Sequence, residues 1–496
     1  MANPSDPANS RYLEVERKFE VVESTVSPSF EGLSTVSRVE RSPAQQLDAV
    51  YFDTPDHDLA EHHVTLRRRT GGTDAGWHLK LPAGPDARTE VRAPLGDDDD
   101  IVPEELKDVV LAIVRDRPLG PVARITTGRT VDVLYGLDGA ALAEFCDDQV
   151  TAQAGHDGDQ QRWREWELEL VNGTSADLLD RLTNRLLDAG AEPAGHGSKL
   201  ARVLEGTGAP EQPAPKPPSD PVHRAVAEQV EELLVWDRAV RADVYDSVHQ
   251  MRVTTRKIRS LLQASEDAFG LSDDAWIIDE LRQLASVLGV ARDAEVLGER
   301  YERALDELPR ELVRGPVRER LVEGANRRYQ AGHRRSLIAM RSQRYFRLLD
   351  ALEGLVAIAP PPTPPGEEPA QLTIDSAYKR VRKAAKRAAA AAEEDRDDAL
   401  HRIRKGAKRL RYTAAATGAD KVSDRAKAIQ TLLGDHQDSV VSRAHLSHQA
   451  EAANAAGEDS FTYGLLYQQE DDLAQRSRQQ LDEALKKLGK SVRETR

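Results

Sequence analysis

Cysteine is nearly absent, with Cys146 standing alone in 496 residues. That excludes a disulfide framework and makes the reducing cytoplasm the expected home. Long apolar runs are missing as well, so no segment approaches the length a membrane span needs. Residues 1–20 show neither a basic-then-apolar signal pattern nor the look of a transit peptide. An excess of basic residues is also lacking. The formal net charge of −15 argues against a general nucleic-acid binder. There is no Gly-x-x-x-x-Gly-Lys-Ser/Thr phosphate loop, no Gly-x-Ser-x-Gly elbow and no Cys/His zinc spacing. His62-His63 lacks a partner cluster and reads as a surface turn.

What is present divides the chain. Its length exceeds one ordinary core, so two or three domains are expected. Prolines crowd 206–221 and 359–370, where neither helix nor central strand can propagate, and both runs read as linkers or exposed loops. Before the first run, short alternating segments dominate. Leu13 to Phe19 alternates strictly, and Ala49–Phe52, Val64–Arg69, Trp77–Leu81, Thr89–Ala93, Thr130–Tyr135, Ala140–Phe145 and Trp163–Val171 follow. About eight strands, with helices near Pro103–Arg115 and Ala176–Ala189, predict an antiparallel barrel within an α+β domain. After the run the period becomes helical, which predicts an all-α C-terminal domain.

The helical half repeats itself. From His249 and from His401, basic residues recur at offsets +3, +7, +8 and +10. Later, Leu288-Gly289 with Asp293 and Val296 matches Leu433-Gly434 with Asp438 and Val441. Two landmarks in one order mark a tandem repeat, with 222–358 and 371–490 as its two helical bundles. Offsets 0, 3, 7 and 10 share a helical face, so His249, Arg252, Arg256 and Arg259 form one stripe. His401, Arg404, Lys408 and Arg411 form the other. Such like-charge rows cost a few tenths of a kcal/mol per pair, roughly, in an isolated helix. A polyanion lying along them offsets that cost. Gly324–Leu349 without any acidic residue, and the row Lys379, Arg382, Lys383, Lys386, point the same way.

The strands carry charge on one side. Glu14, Glu16 and Lys18 share a face, as do Arg67 and Arg69, His78 and Lys80, and Arg88, Glu90 and Arg92. Glu144 and Asp148 share another, and so do Glu165, Glu167 and Glu169. One β-domain with carboxylate-rich and arginine-rich strands predicts a charged lumen. Close carboxylates suit Mg²⁺ or Mn²⁺, and the cations suit phosphate.

Glu14-Val15-Glu16-Arg17-Lys18 resembles the ExExK signature of the CYTH superfamily, whose members include class IV adenylyl cyclases, thiamine triphosphatases and inorganic triphosphatases. Tyr51-Phe52-Asp53-Thr54, Leu66–Arg69, Trp77–Lys80, Arg129, Glu144 with Asp148, Glu165–Glu169 and Ser198-Lys199 with Arg202 extend that likeness over 10–205. Residues 222–490 resemble the CHAD domain, a histidine-bearing helical module associated with polyphosphate. The resemblance implies an inorganic triphosphatase. Glu14, Glu16, Glu167 and Glu169 would hold Mg²⁺ or Mn²⁺. Arg67, Arg69, Lys80, Arg129, Lys199 and Arg202 would grip the triphosphate. Lys18 joins the catalytic set, and Glu144 and Asp148 would position a metal or the attacking water. The two stripes would bind polyphosphate, placing the protein in the cytoplasm at polyphosphate granules. A non-catalytic polyphosphate-binding protein is the alternative.

Overall fold

The computed structural model describes residues 11–84, 86–96, 101–155, 158–171, 176–205, 221–264, 269, 275–357, 374–392 and 395–495. Most of both proline-rich runs, 206–220 and 358–373, lies outside these. The strands are β1 (Arg11–Val21), β2 (Arg38–Arg41), β3 (Gln45–Asp53), β4 (Thr65–Thr70), β5 (Gly76–Gly84), β6 (Ala87–Ala93), β7 (Gly120–Tyr135), β8 (Ala141–Ala154), β9 (Gln160–Leu170) and β10 (Glu192–Pro193). Eight of them close a barrel in the order β1-β6-β5-β4-β3-β7-β8-β9, sealed by antiparallel pairing of β9 back onto β1. Closure leaves no barrel edge to template another strand. β2 extends β7, and β10 extends β1.

The expected alternation is realised. Outward residues of β8 and β9, among them Phe145, Trp166 and Leu168, pack beneath α3 (Ala176–Asp188) through Leu178, Leu179 and Leu182. Outward residues of β4–β6 meet the apolar face of α2 (Glu104–Val114), where Leu106 and Val110 are fully buried. α1 (Asp58–Glu61) is a single turn whose first amides are received by the Asp53 carboxylate. Gly71 turns β4 into β5 at φ 81°, where any Cβ would fall 2.1 Å from the Gln46 carbonyl oxygen. β7 and β8 run longer than expected. Their extra inner-face residues, Ala123, Ile125, Val150 and Ala152, are buried against α4 (Lys199–Glu205), a helix inside the barrel. The outer face of these segments stays in contact with water, with Arg124 and Gln149 exposed.

Beyond residue 221 every described element is helical: α5 (Pro221–Arg241), α6 (Ser247–Ala264), α7 (Trp276–Glu307), α8 (Gly324–Met340), α9 (Gln343–Ala357), α10 (Ile374–Ala389), α11 (Arg396–Ala416), α12 (Asp420–Ala455) and α13 (Phe461–Glu494), with short 3₁₀ and π turns between α7 and α8. Among the described residues no helix is long and apolar enough to cross a membrane. The chain forms two compact units, Met1–Ala285 with Leu337–Pro360, and Ser286–Ser336 with Pro361–Arg496.

The first unit therefore joins the barrel to helices that the linker at 206–221 separates in sequence. Its junction is ionic. Asp108 of α2 accepts from Arg241 at 3.1 Å and from Arg341 at 2.9 Å. Arg115, at the end of α2, pairs with Asp350 at 2.9 Å and Glu353 at 2.6 Å on α9. Arg241 is also bound to Asp237 at 2.6 Å, and Tyr345 donates to Asp237 at 2.9 Å. In the second unit, Ala377, Val381, Leu400, Leu410 and Leu488 belong to one core spanning α10–α13. Gly332 of α8 lies against α7, where a Cβ would come within 2.7 Å of the Ala291 nitrogen.

Candidate functional site: a charge-lined tunnel

The inward residues of the barrel line a cavity of about 340 Å³. Glu14, Glu16 and Lys18 reach it from β1, Arg67 and Arg69 from β4, Lys80 from β5, and Arg88, Glu90 and Arg92 from β6. Arg129 comes from β7, Glu144 from β8, Glu167 and Glu169 from β9, and Lys199 from α4. Two expected site residues lie elsewhere. Asp148 is fully buried in the wall, and Arg202 points away to Glu20 at 3.1 Å and stacks over Trp163.

The register sets up the electrostatics. Glu16 on β1 and Glu144 on β8 both lie directly opposite Glu169 on β9, bringing three carboxylates to one level. Like charges in this position repel. Burial, reinforced by Glu14 and Glu16, pushes the Glu169 carboxyl up to about 7. Burial also raises Glu14, with help from Glu90 and Glu16, even though Lys80 lies 2.5 Å away. Glu16 escapes: Lys18, at 2.9 Å, and Lys80 outweigh its burial and hold it down at about 2.

The opposite wall errs toward positive charge. Arg67, Arg69 and Arg129 converge, and burial together with the two neighbouring guanidiniums lowers Arg69 to about 9. Among the described residues Asp74 closes a pair with it, while Arg67 donates to the Tyr51 hydroxyl at 3.2 Å. Guanidinium stays charged near neutral pH, so this wall keeps its positive charge. Nearby, His78 is buried between the Glu90 carboxylate at 2.8 Å and the Asp74 carbonyl at 2.9 Å.

Below the cavity the charges are matched. The Lys199 ammonium lies 2.9, 2.6 and 2.7 Å from Asp148, Glu165 and Glu167. Arg129 grips Asp148 with two bonds, at 2.8 and 2.6 Å, and reaches Glu167 at 2.5 Å. Lys18 reaches Glu167 at 2.7 Å. Despite their burial, Asp148 and Glu167 are therefore held below the usual carboxylate range, and Lys199 above the usual amine range. Oxygens of Asp148, Glu165 and Glu167 all lie within 4.8 Å of one another, close enough to share a metal ion. Here the ammonium of Lys199 already sits among them. Glu169, by contrast, faces the carboxylates of Glu16 and Glu144.

Sequence periodicity identified the inward faces, including those of Arg88, Glu90, Arg92 and Glu165, without giving these four a role. Tyr12, Tyr51 and Asp74 also line the cavity. Tyr12 shares its β1 face with Glu14, so the same alternation signals it. Asp74 lies in the turn between β4 and β5, where no period marks it.

Each basic stripe occupies one helix, the first α6 in the first unit and the second α11 in the second. All eight residues are half-buried, while Lys257 and Arg409, at offset +8, are exposed. The stripes thus flank their cores instead of standing in open water. Arg404 passes over Gly434, whose missing side chain leaves 3.4 Å between the guanidinium and a Cβ position. Its charge faces Asp435 and Asp438, both raised by burial.

The family model described as CYTH domain matches residues 13–190, and that described as CHAD domain matches residues 224–447. The uncharacterized protein MT2285 of Mycobacterium tuberculosis (strain CDC 1551 / Oshkosh) is 69% identical over 508 residues, covering 99% of this chain and 99% of that protein. The solved structure of PptA from Streptomyces chartreusis is 20% identical, covering 54% of this chain and 99% of its own, with a TM-score of 0.44. The CHAD domain from the plant Ricinus communis is 23% identical, covering 54% of this chain and 90% of its own, with a TM-score of 0.37.

Proposed function

The chain belongs to the two-domain CYTH–CHAD proteins, and on that premise we propose that its tunnel hydrolyses inorganic triphosphate while its helical half binds polyphosphate. One observation carries the first part. A single cavity holds an acidic wall with negative charge to spare and a guanidinium wall with positive charge to spare. A phosphate chain with its divalent cation satisfies both walls at once.

Arg67, Arg69 and Arg129 would hold the phosphate oxygens, with forks that match them bidentately. Lys80 and Lys18 add point charges from the acidic side. Glu14 and Glu169, with Glu16, are the carboxylates that fit Mg²⁺ or Mn²⁺; a bound ion of this kind neutralises phosphate charge and acidifies water. Glu167, sequestered by Lys18, Lys199 and Arg129, fits a positioning role better than a ligand's. Glu144, which lines the cavity opposite Glu169, would orient the attacking water. Asp148 would act through Arg129 and Lys199, by fixing their orientation. Arg202, outside the cavity, would act on the position of α4.

Phosphate release from tripolyphosphate, ATP and long-chain polyphosphate, with Mg²⁺, Mn²⁺ or chelator, tests the reading. Metal-dependent release that is lost in Glu16→Ala and Lys80→Ala with the fold retained is expected. Unchanged turnover in both variants would sink the assigned site. A tunnel that only grips is the second reading, favoured by the Lys80–Glu14 and Lys18–Glu16 pairs, which satisfy carboxylates without a metal. Tripolyphosphate binding without release, under every metal condition, would establish it.

A further inference from the structure

The guanidinium wall already holds an anion of the chain's own. Asp74 closes an ion pair with a terminal nitrogen of Arg69, and both residues line the cavity. The Arg69 side chain is 7% exposed and that of Asp74 is 34% exposed, so the carboxylate stands on the open side of the pair. The Arg69 Nε is buried and makes no hydrogen bond among the described residues. A phosphate in place of the carboxylate can use both donors of that fork, where Asp74 uses one.

Glu14, Glu16, Glu90 and Glu167 also pair with cavity cations, but they do so from strands held in the ladder. Asp74 stands in the turn between β4 and β5. Antiparallel pairing of β1 with β6, and of β6 with β5, puts this turn at the barrel end where β1 begins. There Tyr12 and Leu13 line the cavity and are 41% and 54% exposed, so the turn borders an opening. The backbone of the turn is fixed. Gly72 lies at φ 72°, where a Cβ would come within 2.8 Å of the Leu47 side chain and 3.6 Å of the Asp74 Oδ1. His78, 1% exposed, donates from Nε2 to the Asp74 carbonyl at 2.9 Å, and its Nδ1 lies 2.8 Å from Glu90. The main chain of Asp74 is thus anchored from behind, while its carboxylate can swing toward water on two side-chain torsions.

We propose that Asp74 is a resident competitor for the phosphate site: it occupies Arg69 in the empty tunnel, swings aside when a phosphate group of the substrate takes the guanidinium, and returns as product leaves. The proposal rests on the triphosphatase reading and adds to it a residue that sets affinity. The exchange strands no charge. The guanidinium passes from one anion to another, and the carboxylate passes from the guanidinium to water. A lone orthophosphate makes fewer contacts than the chain it came from, so the returning carboxylate competes with it at an advantage.

Asp74→Asn in the full chain keeps the shape of the side chain and removes its charge. KM for tripolyphosphate should fall about 5-fold, the effect of losing one partly exposed pair, with a smaller change in kcat. Orthophosphate should become a stronger product inhibitor by a similar factor. Asp74→Ser, a second variant without the charge, should behave alike. With Arg69→Gln already in place, Asp74→Asn should add nothing. An unchanged or higher KM in both single variants, or an equal gain in the Arg69→Gln background, would overturn the competitor and leave the triphosphatase reading standing. If the native chain releases no phosphate, that reading fails and calorimetry with tripolyphosphate decides this one. Asp74→Asn should then bind it about 5-fold more tightly than the native chain. Equal or weaker binding, or none by either, overturns the proposal.

Discussion

Glutamine in place of Glu169 is expected to stabilise the barrel while removing metal-dependent phosphate release. Glu169 faces Glu16 and Glu144 across its two neighbouring strands, and burial lifts its carboxyl from 4.5 to about 7. With the folded value above the unfolded one, the native chain holds this proton the more tightly. The group is neutral in both states below about pH 4.5, opposes folding increasingly as pH rises toward 7, and exerts its full penalty above that. A carboxyl displaced from 4.5 to about 7 carries roughly 3 kcal/mol. Water on its open side reduces this to about 1–2 kcal/mol. Glutamine keeps the shape and removes the charge. Urea unfolding followed by tryptophan fluorescence should show a higher midpoint for Glu169→Gln at pH 8, by about 0.5–1 M for a slope near 2 kcal/mol per M. At pH 4 the two midpoints should coincide. A variant less stable than the native chain at pH 8, or a difference independent of pH, would refute the reasoning that this charge lacks compensation.

Lys199→Met should act in the opposite sense. It strips the ammonium from three buried carboxylates, at a cost of about 3–5 kcal/mol near pH 7.5. The depressed values of Asp148 and Glu167 contribute stability above the unfolded carboxylate range that is lost as pH falls, so the deficit should shrink toward pH 4. Excess Mn²⁺ should restore part of it through the vacated triad, and a loss below about 1 kcal/mol in urea unfolding would contradict the assignment. Arg241→Leu leaves Asp237, which is 0% exposed, with the Tyr345 hydroxyl as its remaining donor among the described residues. A marked fall in the first calorimetric transition is expected, and an unchanged transition would show that this junction adds little. Arg404→Ala with Lys408→Ala should lower the slope of log affinity for polyphosphate against log salt by about 1–2, leaving tripolyphosphate turnover alone. An unchanged slope would remove these residues from the contact.

The inward set of the barrel was legible because a strand's period is local. Leu13, Val15 and Phe19 alternate with Glu14, Glu16 and Lys18, and no distant residue is needed to see which side is charged. The stripes were legible for the same reason, at the helical period, and their duplication distinguished them from an ordinary solvated face. Their half-burial was not, because it depends on which helix lies alongside.

Sequence alone determined the barrel strands, the helical half and the list of charged groups that share each face. Tertiary structure decided which of those charges are free to act. Glu165, Glu167 and Glu169 are equivalent by period. Yet Glu167 is captured by Lys18 from 149 positions away and by Lys199 from 32, Glu165 by Lys199, and Glu169 is left facing other carboxylates. The placement of α4 against the inward residues of β3, β7 and β8 belongs to the same class of fact. A charge's availability depends on the partners that folding brings within about 3 Å, and those partners are set by strand register and helix position, which no local period encodes.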